Sequence, residues 1–181
     1  MFFANLFRRR SDPLEDAALA LYTRLVEKAR DPMFFTGLGV PDTVNGRFDM
    51  VVIHAMLVLR RLRGAGARAD ALGKAMLELL FRDMDQSLRE MGIGDMGIKH
   101  HIKRMAKALF GRAEVYEAGL DGDNAALAAA LKENLYRHGA VEERQVAAMA
   151  DYLHRASAHL VPQDVADILE GRADLAVVVA P

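Results

Sequence analysis

The sequence predicts an all-α fold: a single-domain helical bundle of about seven to eight helices. Three observations carry that expectation. Capping residues stand directly ahead of proline or of apolar residues at helical spacing, glycines fall where those runs end, and strand-type alternation hardly occurs. At 181 residues, with 52% hydrophobic and 27% charged residues, the chain is long enough to bury a real core without a disulfide or metal staple.

Taken in order, Ser11-Asp12-Pro13 places a capping residue before proline and opens a helix to about Arg30. Asp31-Pro32 repeats the device for a short helix stopped by Gly37 and Gly39. Asp42 or Asn45 caps a third helix that runs to about Arg63. Its apolar residues nearly encircle it, so it is expected to be central and buried. A fourth runs from about Ala69 to Met91, ended by Gly92, and Asp95 caps a fifth that carries through Phe110 toward Ala118. Asp123 opens a sixth to about Arg137, residues 141–160 form a seventh, and Pro162 starts a short eighth to Glu170. The run Ala176–Ala180 is strand-like but has no evident partner. The expected organisation is an N-terminal Phe/Arg-rich segment over 1–12, a helical domain over 13–170 and a tail over 171–181.

The absence of cysteine excludes disulfides, thiolate metal sites and cysteine nucleophiles, and suits a cytoplasmic location. A net charge of −1 conceals an asymmetry: residues 1–113 carry +6, residues 114–181 carry −7. The first part therefore favours anionic surfaces. The longest apolar run, Met50–Leu59, is half the length of a bilayer-spanning helix. At the N-terminus Phe2, Phe3 and Phe7 precede Arg8, Arg9 and Arg10. That order suits peripheral contact with an anionic membrane, a frayed tail, or a short helix packed on the domain.

Reaction chemistry is sparse. Gly92-Ile93-Gly94-Asp95-Met96-Gly97 spells a dinucleotide fingerprint, yet an amphipathic helix precedes it where a strand is required, so a helix stop and restart explain it better. No nucleophile-elbow pattern or zincin-type histidine pair occurs among the six histidines (His54, His100, His101, His138, His154 and His159). His54 reads either as a satisfied core histidine or as an axial haem ligand, and His100/His101 would be the other haem-handling candidates. No catalytic residue, metal site or cofactor is expected, and no specific DNA binding.

The informative stretch is 72–112. Asp83 falls within the apolar arc of the fourth helix, where an ionised carboxylate must pair internally or bind something outside the chain. In the fifth helix Ile98, Ile102, Met105 and Leu109 form a core stripe, while Lys99, Lys103 and Lys107 step by four along another. No acid lies between Asp95 and Glu114, which leaves a basic face beside Phe110 for an acidic partner, RNA or lipid headgroups.

Residues Phe81-Arg82-Asp83-Met84-Asp85-Gln86-Ser87-Leu88-Arg89-Glu90-Met91-Gly92-Ile93-Gly94-Asp95-Met96, continuing through Ile98–Met105 and Leu109-Phe110-Gly111-Arg112 to Tyr116, resemble the signature of the ubiquinol–cytochrome c chaperone family. The helix from Phe48 through Leu62 and the run Ala126–Leu131 also fit, and the cysteine-free, Arg- and Ala-rich composition looks like a bacterial member. The resemblance implies a non-enzymatic assembly chaperone for the cytochrome bc1 complex that binds newly made cytochrome b or its nascent chain. It further implies a possible small partner protein or ribosome contact, and work at the inner face of the cytoplasmic membrane. On that reading Phe81, Asp83, Met84, Asp85 and Leu88 join Lys99, Lys103, Lys107 and Phe110 in the partner-binding surface.

Overall fold

The computed structural model describes residues 12–137 and 139–179. The expected contacts of Phe2, Phe3, Phe7, Arg8, Arg9 and Arg10 lie outside the described residues. Eight α-helices follow one another within them, with no strand: α1 (Pro13–Ala29), α2 (Pro32–Thr36), α3 (Val44–Leu62), α4 (Ala67–Glu90), α5 (Asp95–Asp121), α6 (Asn124–Asn134), α7 (Glu143–Leu160) and α8 (Val165–Ile168).

The starts of α1 and α2 are those the sequence predicts. Asp12 accepts from the Leu14 amide at 2.9 Å and Asp31 from the Met33 amide at 3.0 Å, each ahead of a proline. Two caps differ. Thr43, not Asp42 or Asn45, caps α3 by accepting from the Gly46 amide at 3.1 Å. Asp42 instead grips Arg47, with Nε at 2.6 Å. Asp95 is the first residue inside α5, and its carboxylate is held by Arg89 rather than by its own backbone. Residues 176–179 of the strand-like run stay irregular, with Val178 buried and Val177 turned outward.

Helix α3 is the hub, packing against α1, α4, α5 and α7. The chain then closes around it as α1 lies on α4, α4 on α5, α5 on α6 and α6 on α7. Eleven of its nineteen residues are buried, including Asp49 and His54. The surrounding helices are amphipathic and turn their apolar stripes toward it, which is what a one-layer wrap around a single core demands.

Polar groups inside this core are matched. His54 lies in full burial, its Nδ1 donating to the Met50 carbonyl at 2.7 Å while Tyr152 donates its hydroxyl to Nε2 at 2.7 Å. Phe34 stands edge-on to both rings, at 5.4 and 5.0 Å between centroids. Asp49 of α3 and Arg112 of α5 form a buried ion pair. At the far end Arg61 reaches from α3 to the Leu160 carbonyl at 2.8 Å, which also accepts from the Gln163 amide, and to the Gln163 carbonyl at 2.6 Å, pinning the turn that follows α7.

Candidate functional site

A groove of about 340 Å³ opens where α1, α3, α4 and α5 meet. Its floor is apolar: Phe48 and Val51 from α3, Leu80 and Met84 from α4. Val44 and Met91 stand on its rim, 66% and 51% exposed, although both are large apolar side chains. Met105 is the one contribution of α5. Three methionines therefore line a single concavity, and methionine adapts its shape to varied apolar partners.

Polar groups in the groove are few and placed. Tyr22 of α1 donates its hydroxyl to Asp83 Oδ2 at 2.8 Å. Burial, and then the carboxylate beside it, push the Tyr22 phenol well above its ordinary range, so it remains a donor at every physiological pH. Arg47 is held by Asp42 on one side and lies over the Phe35 ring at 5.2 Å on the other. With Arg30 and Ser87, these residues mark polar points around an apolar bed, the arrangement expected of a binding groove.

The sequence-predicted residues separate into distinct roles. Asp83 is exposed at the groove, not inside the core of α4 as the helical arithmetic suggests, and its partner is a tyrosine. Met84 and Leu88 line the groove but are themselves buried, so they form its bed more than a free contact surface. Phe81 is half-buried and packs against the core. Asp85 accepts from Arg89 at 2.7 Å, and Arg89 donates again to Asp95 at 2.7 Å, so this carboxylate ties the α4–α5 turn.

Lys99, Lys103, Lys107 and Phe110 lie elsewhere. All four are exposed, and none of the lysines has a carboxylate partner among the described residues. On a helix of 3.6 residues per turn they sit about 140° around α5 from Ile98, Met105, Leu109 and Tyr116, which face inward. The lysine stripe and the groove are thus two faces, where the sequence reading joins them in one.

The expected partner-binding set leaves out most of the groove: Tyr22 and Arg30 at α1, Val44, Arg47, Phe48 and Val51 of α3, and also Leu80, Ser87, Met91 and Met105. The spacing of Val44, Arg47, Phe48 and Val51 (i, i+3, i+4, i+7) was the available signal, since it marks one face at the start of α3.

The haem-handling alternative finds no support in these geometries. Both ring nitrogens of His54 are engaged, and burial lowers its pKa to about 4, which keeps the ring neutral. His101 accepts from Arg104 at 2.8 Å, with the His100 ring 6.4 Å from its own. Among the described residues no cluster of metal-ligating side chains gathers, and no helix is long and apolar enough to cross a membrane.

Residues 36–176 match the family model described as ubiquinol-cytochrome C chaperone. The chain is 27% identical over 153 residues to ubiquinol-cytochrome-c reductase complex assembly factor 1 of Xenopus laevis, covering 84% of this chain and 76% of that one. Against the Mus musculus protein of the same description identity is 26%, covering 84% of this chain and 52% of the relative. The chain thus spans about half the length of the mouse protein. The structure is similar to the crystal structure of the Cbp3 homolog from Brucella abortus, with a TM-score of 0.85, 33% identity and 96% of each chain covered.

Proposed function

Because the chain belongs to the ubiquinol-cytochrome C chaperone family, we propose that it is a non-enzymatic assembly factor for the cytochrome bc1 complex. Its groove holds an apolar segment of cytochrome b before that protein reaches its own partners. The observation that carries this reading is the groove itself: an apolar bed rimmed by exposed Val44 and Met91, with the Tyr22–Asp83 pair set into it.

The physical logic is that of a temporary substitute. A segment destined for a membrane or a subunit interface exposes apolar surface that favours aggregation until it is covered. A shallow bed lined by Met84, Met91 and Met105 covers such a segment without demanding one shape. Asp83 and Tyr22 supply hydrogen-bonding points that favour one orientation. The work is binding and release, for which the site needs no nucleophile. It is done at the cytoplasmic face of the membrane, where cytochrome b is inserted.

Replacing both rim residues, Val44→Asp and Met91→Asp, tests this reading. Both are exposed, so folding stability should move by no more than about 0.5 kcal/mol each. Placing carboxylates against an apolar client should cost about 2 kcal/mol or more, roughly thirtyfold in affinity. The expected result is an unchanged thermal midpoint together with loss of cytochrome b from affinity-purified chaperone. Undiminished recovery of cytochrome b would remove the groove from consideration.

A further inference from the structure

We propose that the outer stripe of α5 is a docking surface for an anionic lipid bilayer. It is formed by Met96, Lys99, Lys103, Lys107 and Phe110, which fall within about 80° of arc and run about 21 Å along the helix. The client reading above is not needed for it, because the stripe is a separate face.

Three observations converge on this assignment. The lysines are exposed and lack carboxylate partners among the described residues, so nothing inside the fold uses their charge. The two acids that bracket the stripe do not interrupt it: Asp95 is held by Arg89, and Glu114 lies a full turn beyond Phe110. Most telling are its ends, since Met96 is 89% exposed and Phe110 56% exposed, each in line with the lysines. A helix lying in the headgroup layer has that composition, with apolar side chains entering the acyl boundary and lysines at the level of the phosphates.

Other anionic partners account for less of the stripe. An acidic peptide would neutralise the lysines but offers nothing to a fully projecting methionine. A single-stranded RNA would use the lysines and stack a base on Phe110, again leaving Met96 idle. A bilayer uses all five side chains at once, and the convex face of a helix matches a flat surface better than it matches a narrow strand.

Vesicle flotation of the full chain, without cytochrome b, tests the proposal. The chain should float with vesicles of phosphatidylcholine and phosphatidylglycerol at low salt, release at high salt, and stay behind with phosphatidylcholine alone. Lys99→Glu/Lys103→Glu/Lys107→Glu should lower partitioning on the order of a hundredfold, at about fivefold or more per lysine. Met96→Ser/Phe110→Ser, which leaves every charge in place, should weaken flotation several-fold while keeping its salt dependence.

The chain carrying Arg68→Glu/Lys74→Glu/Arg82→Glu, three exposed cations of α4, changes net charge equally and serves as the control, so it should lose much less. Undiminished flotation of the lysine variant, or equal loss in both triple variants, would overturn the assignment. Salt-sensitive binding to poly(U) with no flotation would overturn it in favour of RNA. Val44→Asp/Met91→Asp should float like the parent chain, so failure of the client reading and failure of this one are told apart.

Discussion

At the scale of single residues, the buried histidine and the buried ion pair show what the core demands of its polar members. His54 gives its one proton to the Met50 carbonyl and takes a hydrogen bond from Tyr152, which requires the neutral ring. Burial holds its pKa near 4, whereas in the unfolded chain it titrates near its ordinary 6.5. The unfolded state therefore binds the extra proton first, and the stabilisation present above about pH 6.5 drains away as pH falls toward 4. The slope from this group is at most about 1.4 kcal/mol per pH unit. Urea titrations at pH 7, 6 and 5 should show that slope in the parent chain and a flatter one in His54→Gln.

Asp49 and Arg112 make a second demand. Removing Asp49 strands the buried charge of Arg112, so Asp49→Ala should cost about 3–5 kcal/mol by chemical denaturation. Restoring neutrality with Asp49→Leu/Arg112→Met should recover most of the loss, because two well-packed apolar groups need no partner. The burial of His54 was legible from its apolar helix. Its tyrosine was not, standing 98 residues away, and neither was the ion pair, whose members are 63 residues apart. Linear spacing reports what shares a face, not what meets across the core.

At the scale of elements, the sequence carried most of the architecture. Helix number, order and most boundaries follow from caps, glycines and apolar period, and α3 is as enclosed as its composition suggests. The caps that differ did so through competition: Arg47 draws Asp42 away and Arg89 draws Asp95 away, and a charged side chain outbids a backbone amide for a carboxylate.

Two glycines in α5 make the same point about packing against propensity. A methyl at Gly119 would sit 2.8 Å from the Leu127 Cα of α6, inside any tolerable contact, whereas a methyl at Gly111 meets nothing within 4 Å. Intrinsic propensity favours alanine over glycine in a helix by about 1 kcal/mol at both sites. Gly111→Ala should therefore stabilise by up to that amount. Gly119→Ala should instead lower the thermal midpoint, since forcing α5 from α6 costs about 1–3 kcal/mol.

At the scale of the whole molecule, the groove and the lysine stripe are separate faces, where the sequence assigned one surface. A client bound between α1, α3, α4 and α5 leaves the outside of α5 uncovered, so membrane contact and client contact do not compete. Disabling the rim should abolish client recovery and spare flotation; disabling the stripe should do the reverse, and a chain carrying both sets should show both losses independently. The sequence showed the cationic stripe fully, because one helix carries it. It showed only the α4 wall of the groove, because the opposite walls arrive from distant parts of the chain, Tyr22 standing 61 residues from Asp83.

The position of α3 sets how that groove can respond to its guest. Its bed is shared between α3, which four other helices clasp, and α4, which packs on α1, α3 and α5, so the bed cannot swing open without dismantling the molecule. Accommodation is left to the pliant thioethers at the margin, and the protein behaves less like a pair of jaws than like a hard saddle with a soft edge.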